Sequence, residues 1–125
     1  MNLNHRFSAK LASAQTISST TTSSPDSKAI LLKIHRPALF SFRPGQSAYL
    51  RLPEIDPNWH PFSIASDPES EYLEFYIEVS TREGSWTSKL WRILDGHSKK
   101  EDNPASSDII FGLMGPYGTD ISSTK

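Results

Sequence analysis

Apolar and polar positions alternate most cleanly over "EYLEFYIEVS", residues 71–80. Leu73, Phe75, Ile77 and Val79 fall on one side, and Tyr72, Glu74, Tyr76 and Glu78 on the other. A period of two sends successive side chains to opposite faces, so the segment predicts a strand with one buried face. "SAYLRLP", residues 47–53, sets Ala48, Leu50 and Leu52 against Ser47, Tyr49 and Arg51 and predicts another. "KAILLKIHRP", residues 28–37, is strand-like and bounded by Pro37. "FSIAS" predicts a short strand between the proline-rich loop "PEIDPNWHP" and the turn "DPES". The Ser/Thr run at 16–24 predicts a strand end passing into a loop at Pro25-Asp26. In "FRPGQ", residues 42–46, proline presets one central φ and glycine supplies a positive one, the requirement of a type II turn.

The period changes at "GSWTSKLWRILDG". Trp86, Leu90, Ile93 and Leu94 fall at i, i+4, i+7 and i+8, the stripe of an amphipathic helix. Ser85 or Thr87 supplies its N-cap, and Gly96 its stop. "HSKKEDNPASS" predicts a polar loop, and "DIIFGLMGPYGT" a last strand that breaks at a Gly-Pro-Tyr-Gly turn. Short strands joined by turns favour a closed or nearly closed barrel, because closure removes exposed edges. The one helix would cap an end of it. No βαβ unit with a glycine-rich loop is present, so a parallel nucleotide-binding sheet is not expected in this chain.

Composition narrows the function. The chain has 125 residues, enough for one domain, and 36% of them are apolar. Its net charge of −1, with both signs interspersed, offers no basic stripe for a nucleic acid. The absence of cysteine excludes disulfides, thiolate-held iron–sulfur clusters and thiol catalysis. His5, His35, His60 and His97 share no metal-ligand spacing, which points away from a zinc site. No apolar run reaches the ~20 residues of a membrane-spanning helix. The N-terminus has basic residues but no apolar core of a signal peptide, so the chain by itself is expected to be soluble.

"WHPFSIAS", residues 59–66, is more than core packing requires. A flat, polar-edged cofactor needs an apolar surface, donors for its ring nitrogens, and positive dipoles for its phosphates. His60, Pro61, Phe62 and Ser63 can supply the first two, with Phe62 and Ser63 on opposite faces of a strand. Gly84, Ser85 and Thr87 then place a glycine and two hydroxyls at a helix start, where free N–H groups favour a pyrophosphate.

In order along the chain, "FRPGQ", "WHPFSIAS", "EGSWTSKL" and "GPYGT" resemble the FAD-binding domain of the ferric reductase and NADPH oxidase family, within the ferredoxin–NADP reductase-like flavoproteins. The resemblance covers roughly residues 28–120. It implies a mainly β fold: a six-stranded antiparallel Greek-key barrel with one capping helix. It implies that His60, Pro61, Phe62 and Ser63 line the isoalloxazine and ribityl chain, with Ser63 as the catalytic hydroxyl near flavin N5. It implies that Gly84, Ser85, Trp86 and Thr87 form the segment that cradles the FAD pyrophosphate. Residues 1–27 would be an N-terminal strand and Ser/Thr-rich loop, 28–120 the barrel, and 121–125 the start of a linker. The implied partners are an NADPH-binding domain and a haem-bearing membrane domain, both absent from this chain. The implied parent is a membrane oxidoreductase with this domain facing the cytosol, taking hydride from NADPH to FAD and passing electrons to haem. The isolated chain would not turn over NADPH.

The chain departs from the family in two places. Where related sequences carry a basic residue near the end of "YIEVS", this chain has Glu78, with Arg82 as the nearest substitute. Ser47 stands where an aromatic or histidine often follows the glutamine. Glu78 keeps open a second reading, a barrel that has lost flavin and serves as a structural or interaction module. A soluble single-domain flavin protein is a third. Tyr49 and Arg51, on the polar face of their strand, are further candidates for cofactor contact, while Trp59 is expected to pack at its loop.

Overall fold

The computed structural model describes residues 6–19, 27–98 and 109–118. Within them run β1 (Arg6–Ser19), β2 (Ser27–His35), β3 (Ser47–Arg51), β4 (His60–Ser63), β5 (Tyr72–Glu78), the helix α1 (Trp86–Ser98) and β6 (Ile110–Tyr117). The strands bond in the order β4-β3-β6-β1-β2-β5, and every pairing is antiparallel. The last strand lies between β3 and β1, the crossover of a Greek key. The mainly β, six-stranded fold with one helix is therefore as expected. The ends of the sheet approach each other without a ladder. Just past β4, the Ala65 N–H donates to the Glu74 carbonyl at 2.7 Å, and the Glu74 N–H donates to Ser66 Oγ at 3.1 Å.

The alternation read from β3 and β5 is the alternation of burial. Ala48, Leu50 and Leu52 face inward, as do Leu73, Phe75 and Ile77, while Glu74, Tyr76 and Glu78 face out. Opposite them, Ile30, Leu32 and Ile34 of β2 and Phe111 and Leu113 of β6 complete one core. The "FRPGQ" turn forms: the Gln46 N–H donates to the Arg43 carbonyl at 3.2 Å, and Gly45 takes φ 90°. An L residue with a side chain pays a steric penalty at that angle.

Helix α1 sets Trp86, Leu90 and Leu94 into the core, with Ile93 packed at its margin. Ser85 is its N-cap: its hydroxyl accepts from the Ser88 N–H at 3.1 Å. Thr16 Oγ1 of β1 donates to Asp95 Oδ1 at 3.0 Å and ties the helix to the barrel.

The strand end expected in the Ser/Thr run is present, with β1 paired to β2 as far as Ser19. Three expectations about boundaries are corrected. β4 begins at His60, two residues early, and ends at Ser63. It is an edge strand, where proline costs no ladder bond on the unpaired side. The helix runs through Gly96 to Ser98, since core contacts at Leu90 and Leu94 outweigh the glycine penalty of about 1 kcal/mol. β6 continues through Gly115-Pro116 to Tyr117, which pairs with Ser47, where a turn was expected. The loop expected after the helix, most of the Ser/Thr-rich loop, and 121–125 lie outside the described residues.

Candidate functional site

The two motifs come together through one side chain. His60 and Phe62 lie on the inward side of β4, opposite Leu50 and Ala48 of β3. The Trp86 indole covers both. Its ring is stacked on His60, with centroids 4.5 Å apart and planes at 24°, and tilted on Phe62 at 5.5 Å and 31°. Trp86 is only 8% exposed, and its Nε1 is buried without a hydrogen-bond partner among the described residues.

Pro61 and Ser63 point the other way, to the exposed outer surface of β4. Opposite them stand Tyr49 and Ser47. Tyr49 packs edge-on against Tyr117 at 5.1 Å, giving this outer strip an aromatic floor beside the Ser63 hydroxyl. The expected split of Phe62 and Ser63 between two faces is therefore present. Ser63 lies next to Ile64, whose N–H donates to the Gln46 carbonyl at 3.1 Å. The Gln46 side chain in turn donates to the Gly118 carbonyl at 2.9 Å. This chain of bonds pins the strand end to the turn and to the end of β6.

At the helix start, Gly84 has φ 81°, and nothing lies within 4 Å of where a Cβ would sit. The left-handed turn thus opens onto free space. The N–H groups of Trp86 and Thr87 occupy the first two helical positions, which have no carbonyl partner within a helix. Thr87 Oγ1 accepts from the Ser80 N–H at 2.8 Å and lies 3.4 Å from Ser85 Oγ. Ser85 therefore caps the helix, while Thr87 fastens the loop from β5 and meets the Ser85 hydroxyl in a contact where either can donate.

Beside this helix start is a cleft of about 500 Å³, lined among others by Lys28, Arg82, Arg92, Ser88 and Trp91. Three cations face one acid, Glu83. Lys28 Nζ sits 5.2 Å from the Trp91 ring. Glu78 does not line the cleft; it projects from the exposed face of β5. Arg82, the substitute suggested by position, does line it. Lys28 from β2, Arg82 from the loop after β5 and Arg92 from α1 thus bring three positive charges to one cleft.

Lys28, Trp91 and Arg92 were not singled out from the sequence. Ser88, Trp91 and Arg92 stand at i, i+3 and i+4, one flank of α1 beside its buried stripe, and that spacing was a readable signal. Lys28 gave none. Arg51 is turned to another use: its guanidinium lies 4.5 Å from the Trp59 ring, and that ring lies close over Gly112, whose missing Cβ would stand 3.2 Å from it.

His60 has a second partner. Its Nε2 is 3.3 Å from Asp56 Oδ1, which also accepts from the Asn58 N–H at 3.1 Å. Desolvation pulls the Asp56 carboxyl up, but the bonds from Asn58 and His60 outweigh it and hold the group below the usual carboxylate range. A carboxyl held low favours the folded state at neutral pH and loses that contribution as the pH falls through its folded value. Carbon-detected NMR titration should therefore give Asp56 a midpoint below that of an ordinary aspartate, and His60→Leu should raise it. An unmoved midpoint in that variant would remove His60 as a cause.

A tricyclic ring with a pyrophosphate tail is a ligand this donor set fits. Free helix N–H groups, hydroxyls and three cations suit two phosphates, and an exposed hydroxyl on an aromatic-floored strand edge suits the edge of a ring system. Among the described residues, no group of three His, Asp, Glu or Cys side chains is placed to hold a metal ion, and no helix is long and apolar enough to cross a membrane.

Comparison with known proteins points the same way. Residues 10–121 match the model of a family described as FAD-binding domain. The chain is 37% identical over 105 residues to respiratory burst oxidase homolog protein D of Solanum tuberosum, covering 77% of this chain and 12% of that protein. It is 39% identical over 66 residues to NADPH oxidase 5 of Homo sapiens, covering 52% of this chain and 8% of that one. The chain thus spans only a small part of these curated relatives. Among solved structures, ferredoxin-NADP+ reductase from Plasmodium falciparum superposes with a TM-score of 0.64 over 92% of this chain and 39% of that one. At 18% identity, that likeness is one of fold.

Proposed function

The chain belongs to the FAD-binding domain family, and we propose that it is the FAD-holding barrel of a membrane electron-transfer oxidoreductase of the NADPH oxidase or ferric reductase kind. When bound, FAD supplies the ability to accept a hydride and to release single electrons. In this reading the hydride comes from NADPH on a neighbouring domain, and the electrons leave to haem on a membrane domain. The barrel faces the cytosol, and residues 121–125 lead toward the NADPH-binding domain.

The chain's own residues bind and orient. The N–H groups of Trp86 and Thr87 meet the pyrophosphate. The Thr87 hydroxyl donates to it, and Arg82, Arg92 and Lys28 neutralise its charge from the cleft. Gly84 leaves the room that the phosphates need. Pro61 and the Tyr49–Tyr117 pair give the ring a surface on the outer side of β4, while His60 and Phe62 hold that strand from beneath. Ser63 is the residue in reach of the reacting edge. Its exposed hydroxyl can donate to N5 in one redox state and accept from it in the other. The observation that carries the reading is that the anion-ready helix start and the hydroxyl-bearing strand edge are joined by the Trp86 stack.

Titration of the purified chain with FAD, followed by flavin fluorescence anisotropy, tests this. Saturable binding is expected, weakened by Phe62→Ala and about 10-fold or more by Thr87→Ala, which removes one hydrogen bond to a charged group. An anisotropy that stays at the free-flavin value into the tens of micromolar would overturn the assignment of FAD to this site.

A further inference from the structure

We infer that Trp86 is the positioning residue that couples the two halves of the cofactor site, so that ring and pyrophosphate bind as one ligand rather than as two. The inference rests on the FAD reading above. It places Trp86 underneath the site, as the piece that sets one half against the other.

Three observations carry it. First, Trp86 belongs to both halves at once. It is the first residue of α1, so its backbone N–H is one of the free donors at the phosphate end, while its side chain is fastened to β4. Second, its shape fits that task. His60 and Phe62 are two residues apart on a strand, so their side chains stand roughly 6.5–7 Å apart on one face. A bicyclic indole spans that gap, and with ring centroids 4.5 Å from His60 and 5.5 Å from Phe62 it packs on both. A single six-membered ring would rest on one of them. Third, the indole has an unmet need: its Nε1 is buried with no partner among the described residues. A buried donor left without a partner loses its bonds to water and gains none in return. Leucine, as at Leu90 and Leu94 on the same stripe, would fill core space without that cost. The indole is thus a poor choice for packing alone and a good one for reach.

Each half keeps other supports when the stack is removed. The helix retains the Ser85 cap, the Thr87–Ser80 bond, the Thr16–Asp95 bond, and Leu90 and Leu94 in the core. β4 retains its ladder to β3. As the edge strand, however, it has a ladder on one side only, and the stack is its link to the helix. Losing Trp86 should leave two competent half-sites whose separation is no longer set. Linking two binding events gains affinity only while the geometry lets both engage together.

Calorimetric titration of the full chain with FAD, FMN and AMP separates these terms, with FMN and AMP taken into the millimolar range. In Trp86→Leu, FAD affinity is expected to fall about 10- to 100-fold, while the FMN and AMP affinities stay near their wild-type values. Trp86→Phe keeps an aromatic ring in the core, though a smaller one than the indole, and reaches only one partner. It should lower the melting temperature less than Trp86→Leu does, leave the FMN and AMP affinities near wild type and still lose most of the FAD advantage, which a purely structural role would not produce. It also serves if the leucine variant fails to fold. If FMN or AMP binding falls as far as FAD binding, Trp86 is a direct contact or a folding residue, and the inference is overturned. If Trp86→Phe binds FAD as the wild type does, it is likewise overturned. If the wild-type chain binds no FAD, the FAD reading fails first and takes this inference with it.

Discussion

Phe111→Ala is expected to destabilise the protein by about 3–5 kcal/mol, the range for deleting a fully buried aromatic ring. Phe111 has no exposed surface and lies on β6, between β3 and β1 in the sheet, opposite Ala9. The small partner leaves the space to the ring, so few atoms are free to collapse into the cavity. For a domain of this size the loss corresponds to a fall in melting temperature on the order of 10–20 °C. Total stability of ordinary domains is only about 5–15 kcal/mol, so a substantial unfolded fraction would follow. Urea unfolding followed by tryptophan fluorescence measures it. A change below about 1 kcal/mol would mean that β6 is not the centre of the core, and the strand order would need revision.

The second large effect concerns the cationic cleft. The double reversal Lys28→Glu with Arg82→Glu should weaken FAD binding on the order of 100-fold. Both side chains are exposed, so each contact with a phosphate is worth about 1 kcal/mol in full solvent and more where the ligand excludes water. Reversal replaces that attraction with repulsion of similar size. The wild-type affinity should also decline as salt rises, and the variant should have lost that dependence. Glu78→Arg is the control. Because Glu78 stands outside the cleft, it should change FAD affinity by less than about threefold. A strong gain from Glu78→Arg, with little loss from the double reversal, would move the phosphates from the cleft to the β5 surface.

These two experiments probe different kinds of knowledge about the chain. That β3 and β5 each have one buried and one more open face was legible, because a strand sends neighbouring residues to opposite sides whatever it packs against. The helix was legible for the same reason: Trp86, Leu90 and Leu94 repeat at the helical period. The "FRPGQ" turn was legible because Pro44 and Gly45 restrict their own backbone angles. The boundaries were less so. A proline inside β4 and a glycine inside α1 look like breakers until it is known that β4 is an edge and that α1 is held by its core face.

By itself, then, the sequence determined what depends on neighbours in the chain: the faces of β3 and β5, the helix, the turn, and the order of motifs that marks an FAD-binding domain. Tertiary structure alone decided which distant residues meet. Lys28, Arg82 and Arg92 share a cleft only because β2 pairs with β5, and α1 follows from its end. Trp86 reaches His60 and Phe62 only because the helix packs back beneath the edge strand. Local pattern encodes the burial of each segment, but contacts between segments are set by the sheet order and by packing across the core, and neither has a period along the chain.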